Sequence, residues 1–340
     1  MKKSKVLAIE ALGFPWKTQD PFLFCAHHRD EYPMGDANLG LHPSDRAGRN
    51  IGQDFTIKDG FRMYHGSHIP GFPYHPHRGF ETITINKEGF VDHTDSLGAA
   101  GRFGAGDVQW MTAGKGVQHS EMFPMVYEDQ SNPLEIFQIW LNLPKASKFV
   151  EPHFKMLWND MVPIVKHKDI EDHTTEVHII AGNVDNKRAP APTPDSWAAN
   201  PDNDVAVLTI KMEANAKWTL PAATKENINR TLYFYRGDTL KVAGERVEDY
   251  HLIEVVPNED ILLENGKEAS YLLVLQGKPI NEPVAQYGPF VMNTEEEIHE
   301  AFADYRRTEF GGWPWQEKEQ IHPREKGRFA LYANGEEEVK

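Results

Sequence analysis

Thr231-Leu232-Tyr233-Phe234-Tyr235-Arg236-Gly237-Asp238 is a run of β-branched and aromatic residues that stops at a glycine turn. Such residues suit a pleated, half-buried surface, and the Gly-Asp pair ends the run. The same unit recurs along the chain. Ile83-Thr84-Ile85, Ile136-Phe137-Gln138-Ile139-Trp140, Val177-His178-Ile179-Ile180 and Val205-Ala206-Val207-Leu208-Thr209-Ile210 precede it, and Tyr271-Leu272-Leu273-Val274-Leu275 follows. Gly, Asn, Asp or Pro clusters flank these runs, in a chain with 23 prolines and 26 glycines. Short strands separated by such turns predict an all-β sandwich or barrel.

The unit also repeats in pairs. Lys87-Glu88-Gly89-Phe90 is followed by Gly104-Ala105-Gly106-Asp107-Val108, and Tyr235-Arg236-Gly237-Asp238 by Val256-Pro257-Asn258-Glu259-Asp260-Ile261. In each copy a strand ends at a Gly turn, and a later turn with an acidic residue leads into a new strand. Two copies imply two similar barrels. The length of 340 residues accommodates two domains, at about 150 residues each. We place an N-terminal barrel over 1–144, with the boundary near Leu143-Pro144-Lys145, and a C-terminal barrel over 145–293. Ala189-Pro190-Ala191-Pro192-Thr193-Pro194 is expected as an exposed loop of the second barrel, since proline cannot donate to a ladder. Residues 294–340 are expected as a helix and a tail. Thr294 with Glu297 forms a capping box, and Ile298, Ala301, Phe302 and Tyr305 share one helical face. Phe310-Gly311-Gly312-Trp313-Pro314-Trp315 is too aromatic to stay in water and is expected to pack back onto a barrel.

Acidic residues outnumber basic ones by 51 to 36, for a formal charge of −15. A field of that sign repels phosphate backbones, which argues against direct nucleic-acid binding. Cys25 is the only cysteine, so there is no internal disulfide and no cysteine cluster for zinc. That fits a reducing compartment, and the cytoplasm is the default. Val6-Leu7-Ala8-Ile9 follows a basic start, but Glu10 and Pro15 interrupt it, so it reads as a first strand rather than a signal peptide. No stretch reaches the ~18 apolar residues of a membrane helix.

His75-Pro76-His77 carries the sharpest chemical signal. Side chains two apart on a strand share a face, so both imidazoles can enter one barrel interior. His119-Ser120-Glu121 repeats the pattern on a second strand, after a Gly-rich turn. A lone His-x-His means little in a chain with 16 histidines, but the second pair gives a ligand set of His75, His77, His119 and Glu121. Three imidazoles and a carboxylate suit a divalent first-row metal: iron, manganese, nickel, copper, cobalt or zinc. Four protein ligands leave octahedral positions open for a small ligand, as catalytic sites do. Glu81 is the rival carboxylate, swinging in or out according to how Gly79 bends the strand. Glu121 doubles as candidate general base, and Phe72, Phe80, Trp110 and Met122 are candidate walls of an apolar slot.

Other candidates read as structural. His65 and His68 have a spacing that fits no strand face. His93 and Asp95 fall in a turn-rich stretch and are expected to be exposed. His27, His28, His251, Cys25 and Ser120 are read as surface or packing residues.

At these positions the chain resembles the pirin family, a bicupin branch of the cupin superfamily. The matching text is His75-Pro76-His77-Arg78-Gly79-Phe80-Glu81-Thr82, Asp95-Ser96-Leu97-Gly98, the stretch from Gly106-Asp107-Val108 through Gln118-His119-Ser120-Glu121, and Glu282-Pro283-Val284-Ala285-Gln286-Tyr287-Gly288-Pro289-Phe290-Val291-Met292-Asn293. The resemblance implies two antiparallel jelly-roll barrels stacked face to face. It also implies one metal, usually Fe(II), on His75, His77, His119 and Glu121, and a C-terminal barrel without metal. Gly104 stands where proline is common in generic cupins. The segment from about Pro15 to Asn50 and the tail past Trp315 resemble longer bacterial-type members and are expected to carry little function. The resemblance implies one of two functions. The first is a quercetin 2,3-dioxygenase-like enzyme, with a small aromatic substrate and dioxygen as partners. The second is an iron-dependent regulator that binds a protein partner. A monomer is expected, because a bicupin already pairs two barrels.

Overall fold

The computed structural model describes residues 4–340. The chain forms two compact units, one of residues up to Cys25 with Asp160–Asn281, the other of Ala26–Asn159 with Glu282–Lys340. Each is built mainly on two large antiparallel sheets, with a two-stranded ribbon besides, as expected for a barrel in each half. The domain cuts read from sequence were single; the compact units are interleaved. The reason is strand pairing. Val6–Ala11 joins the later unit because it pairs with His251–Val255. His153–Leu157 stays with the first barrel because it pairs with Val108–Thr112. Phe329–Leu331 returns to the first barrel to pair with Ala100–Gly104.

In the unit holding residues 160–281, a seven-stranded sheet contains Asn229–Arg236 between His251–Val255 and Ser270–Gly277. A four-stranded sheet of Lys217–Leu220, Ile261–Asn265, Thr239–Val242 and Glu245–Glu248 completes it. Leu208, Ile210, Trp218, Leu232, Phe234, Leu272 and Val274 are buried in one apolar cluster. Burying each such side chain contributes about 1.5–3 kcal/mol before chain entropy is counted. Residues 189–194 form no strand; the loop is half-buried rather than fully exposed, with Thr193 buried.

The other unit carries the His-x-His pair. Its six-stranded sheet runs in the order Glu337–Val339, Phe329–Leu331, Ala100–Gly104, Phe90–Asp95, Val117–Met122 and Gly71–His77, so Gly71–His77 is an edge strand. Its five-stranded sheet runs in the order His153–Leu157, Val108–Thr112, Phe80–Glu88, Asn132–Asn142 and Phe22–Tyr32. Gly79 turns the chain from one sheet to the other. Its φ is 86°, and a Cβ there would lie 2.0 Å from the Val291 carbonyl oxygen, so only glycine fits.

The C-terminal helix is Glu295–Thr308, with both halves of the Thr294–Glu297 capping box formed. Ile298 and Ala301 are buried, and Phe302, Tyr305 and Phe310 pack with them on Phe290 and Met292. The aromatic tail packs back as its composition predicts: Trp313 stacks on Tyr74 and Trp315 Nε1 donates to the Asp95 carbonyl. Among the described residues no helix is long and apolar enough to cross a membrane.

Candidate metal centre

Adjacent edge and inner strands place the candidate ligands. Gly71–His77 pairs with Val117–Met122 so that His75 faces His119 directly. A bulge between Phe72 and His75 interrupts the ladder just before the ligands, a common device for re-aiming side chains beside a site. The ring nitrogens of His75, His77 and His119 come within 4.8 Å of one another. His75 Nε2 and His119 Nε2 are 3.1 Å apart. His77 and His119 are buried and His75 is half-buried, so the triad is most accessible on its His75 side.

The proton positions suit a cation. His75 Nδ1 donates to the Pro73 carbonyl at 2.9 Å, and His77 Nδ1 donates to the Pro289 carbonyl at 3.3 Å. Both bonds leave Nε2 as a lone pair, the orientation that metal-binding imidazoles take. Burial holds all three rings neutral: the His75 imidazole is pushed down to about 4, and His77 and His119 lie well below the ordinary value. His119 Nδ1 is buried with no hydrogen-bond partner. Neutral, converging, lone-pair-bearing nitrogens in a largely buried site fit a borderline divalent metal.

Glu121 stands beside the triad. Its Oε2 lies 3.8 Å from His119 Nε2. Thr84 Oγ1 donates to Oε1 at 2.9 Å and Gln138 Nε2 donates to Oε2 at 3.0 Å. Burial raises the Glu121 carboxyl above the usual range, and His93, Thr84 and Gln138 oppose that rise. Glu81 is left out of the group. Thr84, on the same strand, reaches Glu121 inside the barrel, and alternation sends Glu81 to the opposite face. There Glu81 is buried and accepts from Trp110 Nε1 at 3.2 Å and Thr112 Oγ1 at 2.8 Å. Trp110 is thereby committed to that face as well, whereas Phe80 packs on His77 at 5.0 Å and Phe72 on His75 at 6.4 Å.

His93 and Asp95 correct a sequence expectation. Both are fully buried on the strand Phe90–Asp95, opposite Glu121 and His119. His93 stacks on Phe154 at 4.8 Å and accepts at Nδ1 from Gln109 Nε2 at 2.9 Å. Its ring is 5.5 Å from that of His119. Val91-Asp92-His93-Thr94-Asp95 has one apolar residue followed by four polar ones, so no apolar alternation marked it as a buried strand. Thr84, Gln138 and Gln109 were also missed, being ordinary polar residues in apolar runs. His65 and His68 stay outside the triad, bound to the Gly52 carbonyl and to Asp36. Cys25 is fully buried, and burial raises its thiol, as befits a packing residue.

Comparison with known proteins follows the same lines. The family model described as Pirin matches residues 16–141, and the model of the pirin C-terminal cupin domain matches residues 207–311. Pirin of Homo sapiens is 33% identical over 256 residues, covering 74% of this chain and 81% of that protein. A Pseudomonas aeruginosa protein named "Putative quercetin 2,3-dioxygenase" is 36% identical over 241 residues, covering 71% of this chain and 79% of its own length. The crystal structure of a quercetin 2,3-dioxygenase from Acinetobacter baumannii superposes with a TM-score of 0.69 at 27% identity, over 91% of this chain and 98% of that one.

Proposed function

The chain belongs to the pirin family, and from that premise we propose that it is a metal-dependent dioxygenase acting on a flavonol such as quercetin, or on a similar enol-type aromatic. The observation that supports this most is the convergence of three neutral imidazoles beside a buried carboxyl whose proton affinity is raised. His75, His77, His119 and Glu121 would hold one divalent metal, Fe(II) in this reading. When bound, that ion supplies a Lewis acid and a template for an oxyanion and dioxygen.

The chain's own residues do the rest. Glu121 takes the substrate hydroxyl proton, because burial makes its carboxylate a stronger base than an exposed one. Thr84 and Gln138 hold that carboxylate in place during the transfer. Phe72, half-buried beside His75, offers an apolar wall on the accessible side. In this reading the protein works in the reducing cytoplasm.

The test is oxygen uptake coupled to quercetin loss by Fe(II)-loaded protein, wild type beside Glu121→Gln. Coupled turnover in the wild type that drops by two or more orders of magnitude in the variant, the usual scale for a lost general base, supports the reading. Metal-loaded wild type that consumes no oxygen with quercetin removes the dioxygenase claim. The regulatory reading, in which a protein partner senses the iron state, then takes its place.

A further inference from the structure

The residues that alternate with the three histidines point outward, and they are gripped by one segment. Tyr74, beside His75, stacks on Trp313 with centroids 5.0 Å apart, and its backbone N–H donates to the Lys318 carbonyl at 3.0 Å. Arg78, beside His77, lies over the Phe310 ring at 4.4 Å and donates to Asp304 at 3.0 Å. Gln118, beside His119, is fully buried; its Nε2 donates to the Glu309 carbonyl at 2.7 Å, and its Oε1 accepts from Tyr305 Oη at 2.8 Å. Trp315 closes the series on the Asp95 carbonyl at 2.8 Å, at the end of the strand opposite His119.

Resting on the reading of His75, His77 and His119 as metal ligands, we propose that residues 304–318 are a positioning strap. From outside the barrel they fix the separation of the three imidazoles.

The pleat makes this grip effective. On a strand, a side chain held on one face fixes the backbone on which its neighbours project to the other. The need is greatest at Gly71–His77, an edge strand with a neighbour on one side only. The strap supplies the missing partner there through the Tyr74–Lys318 hydrogen bond. The backbone accepts strain to do so. Glu309 and Phe310 are both left-handed, at φ 48° and 50°, where non-glycine residues are disfavoured. That turn brings the Glu309 carbonyl onto Gln118 and the Phe310 ring against Gly116 and Arg78. Strained residues that persist are held by their surroundings, and they cluster where geometry matters. These residues act through the ligands and touch no substrate.

The experiment uses full-length protein loaded with Co(II), whose visible spectrum reports ligand geometry. Wild type is compared with Tyr305→Phe, which removes one hydroxyl, and with Trp313→Ala, which removes the stack on Tyr74. Three readouts are taken: the spectrum, the rate of Co(II) release to a chelator, and the melting temperature of the metal-free protein. The strap predicts an altered spectrum and release at least about tenfold faster for Trp313→Ala, the scale on which losing a group that orients a metal ligand weakens binding. Tyr305→Phe should follow in the same direction with a smaller change, and the metal-free melt of Tyr305→Phe should stay near wild type. Spectra and release rates identical to wild type in both variants overturn the strap while leaving the metal centre intact. A wild type that takes up no Co(II) overturns the ligand reading first, and the strap with it.

Discussion

Replacing Thr84 by Val and Gln138 by Leu strips the Glu121 carboxylate of its two donors one at a time. Thr84 Oγ1 lies 2.9 Å from Oε1 and Gln138 Nε2 lies 3.0 Å from Oε2. A hydrogen bond to a charged group contributes about 1.5–3 kcal/mol, and about 1.4 kcal/mol is a factor of ten in affinity. Thr84 is fully buried, so no water replaces its bond, and the expected loss of metal affinity is about 10- to 100-fold. Gln138 is only half-buried, so water recovers part of its bond and the expected loss is nearer tenfold. The two donors share one carboxylate, and the Thr84 hydroxyl also touches Gln138 Oε1 at 2.5 Å. Their losses should therefore fall short of the product in the double variant. The assay is a competition titration of Co(II) against a chromophoric chelator, at one pH and with matched unfolding midpoints. Both single variants binding within about twofold of a metal-binding wild type would show that these donors do not hold a ligand carboxylate.

Three further outcomes follow from the geometry. Glu81→Gln, on the opposite sheet face, should leave Co(II) affinity within about twofold of wild type in the same titration, and a loss comparable with Thr84→Val would return Glu81 to the ligand set. Burial first, then Arg62 and His27, push the buried His28 imidazole down to about 3, so the unfolded chain binds its proton first; stability present above about pH 6.5 is lost as pH falls towards 3, at up to about 1.4 kcal/mol per pH unit for this group. His28→Gln should flatten the urea midpoint against pH by that one group's share, and an unchanged profile would rule out the buried neutral state. Arg102→Met leaves Asp92 as an unpaired buried charge and frees the tail carbonyls of His322 and Pro323, so urea unfolding should show about 3–5 kcal/mol lost, much of it recovered in Arg102→Met with Asp92→Leu.

Much of the architecture is legible in the chain because β-structure announces itself by short β-branched and aromatic runs. Asn229–Arg236, Ser270–Gly277 and Asn132–Asn142 lie where those runs lie, and Thr294 caps the helix whose box it forms. The His-x-His pair was legible because a strand's period of two needs only neighbours in sequence. What pairing decides at long range was not legible. Nothing local tells Val6–Ala11 that its partner is His251–Val255, or residues 329–331 that they extend the sheet of the His-bearing barrel. Composition misled at His93, where polar residues on a strand buried on both faces looked like a turn. The tail past Trp315 showed no motif, yet the carbonyls of His322, Pro323 and Arg324 satisfy the fully buried Arg102. Partners far apart in sequence leave no periodic trace.

Whether the histidine triad holds a metal is decided by element analysis. Protein purified without added metal, loaded with Fe(II) under exclusion of air and desalted, is compared with His77→Ala treated identically. The expected result is about one ion per chain for wild type and a small residue for the variant, since a lost ligand abolishes tight binding. Equal metal content in the two proteins, or none in the wild type, would contradict it.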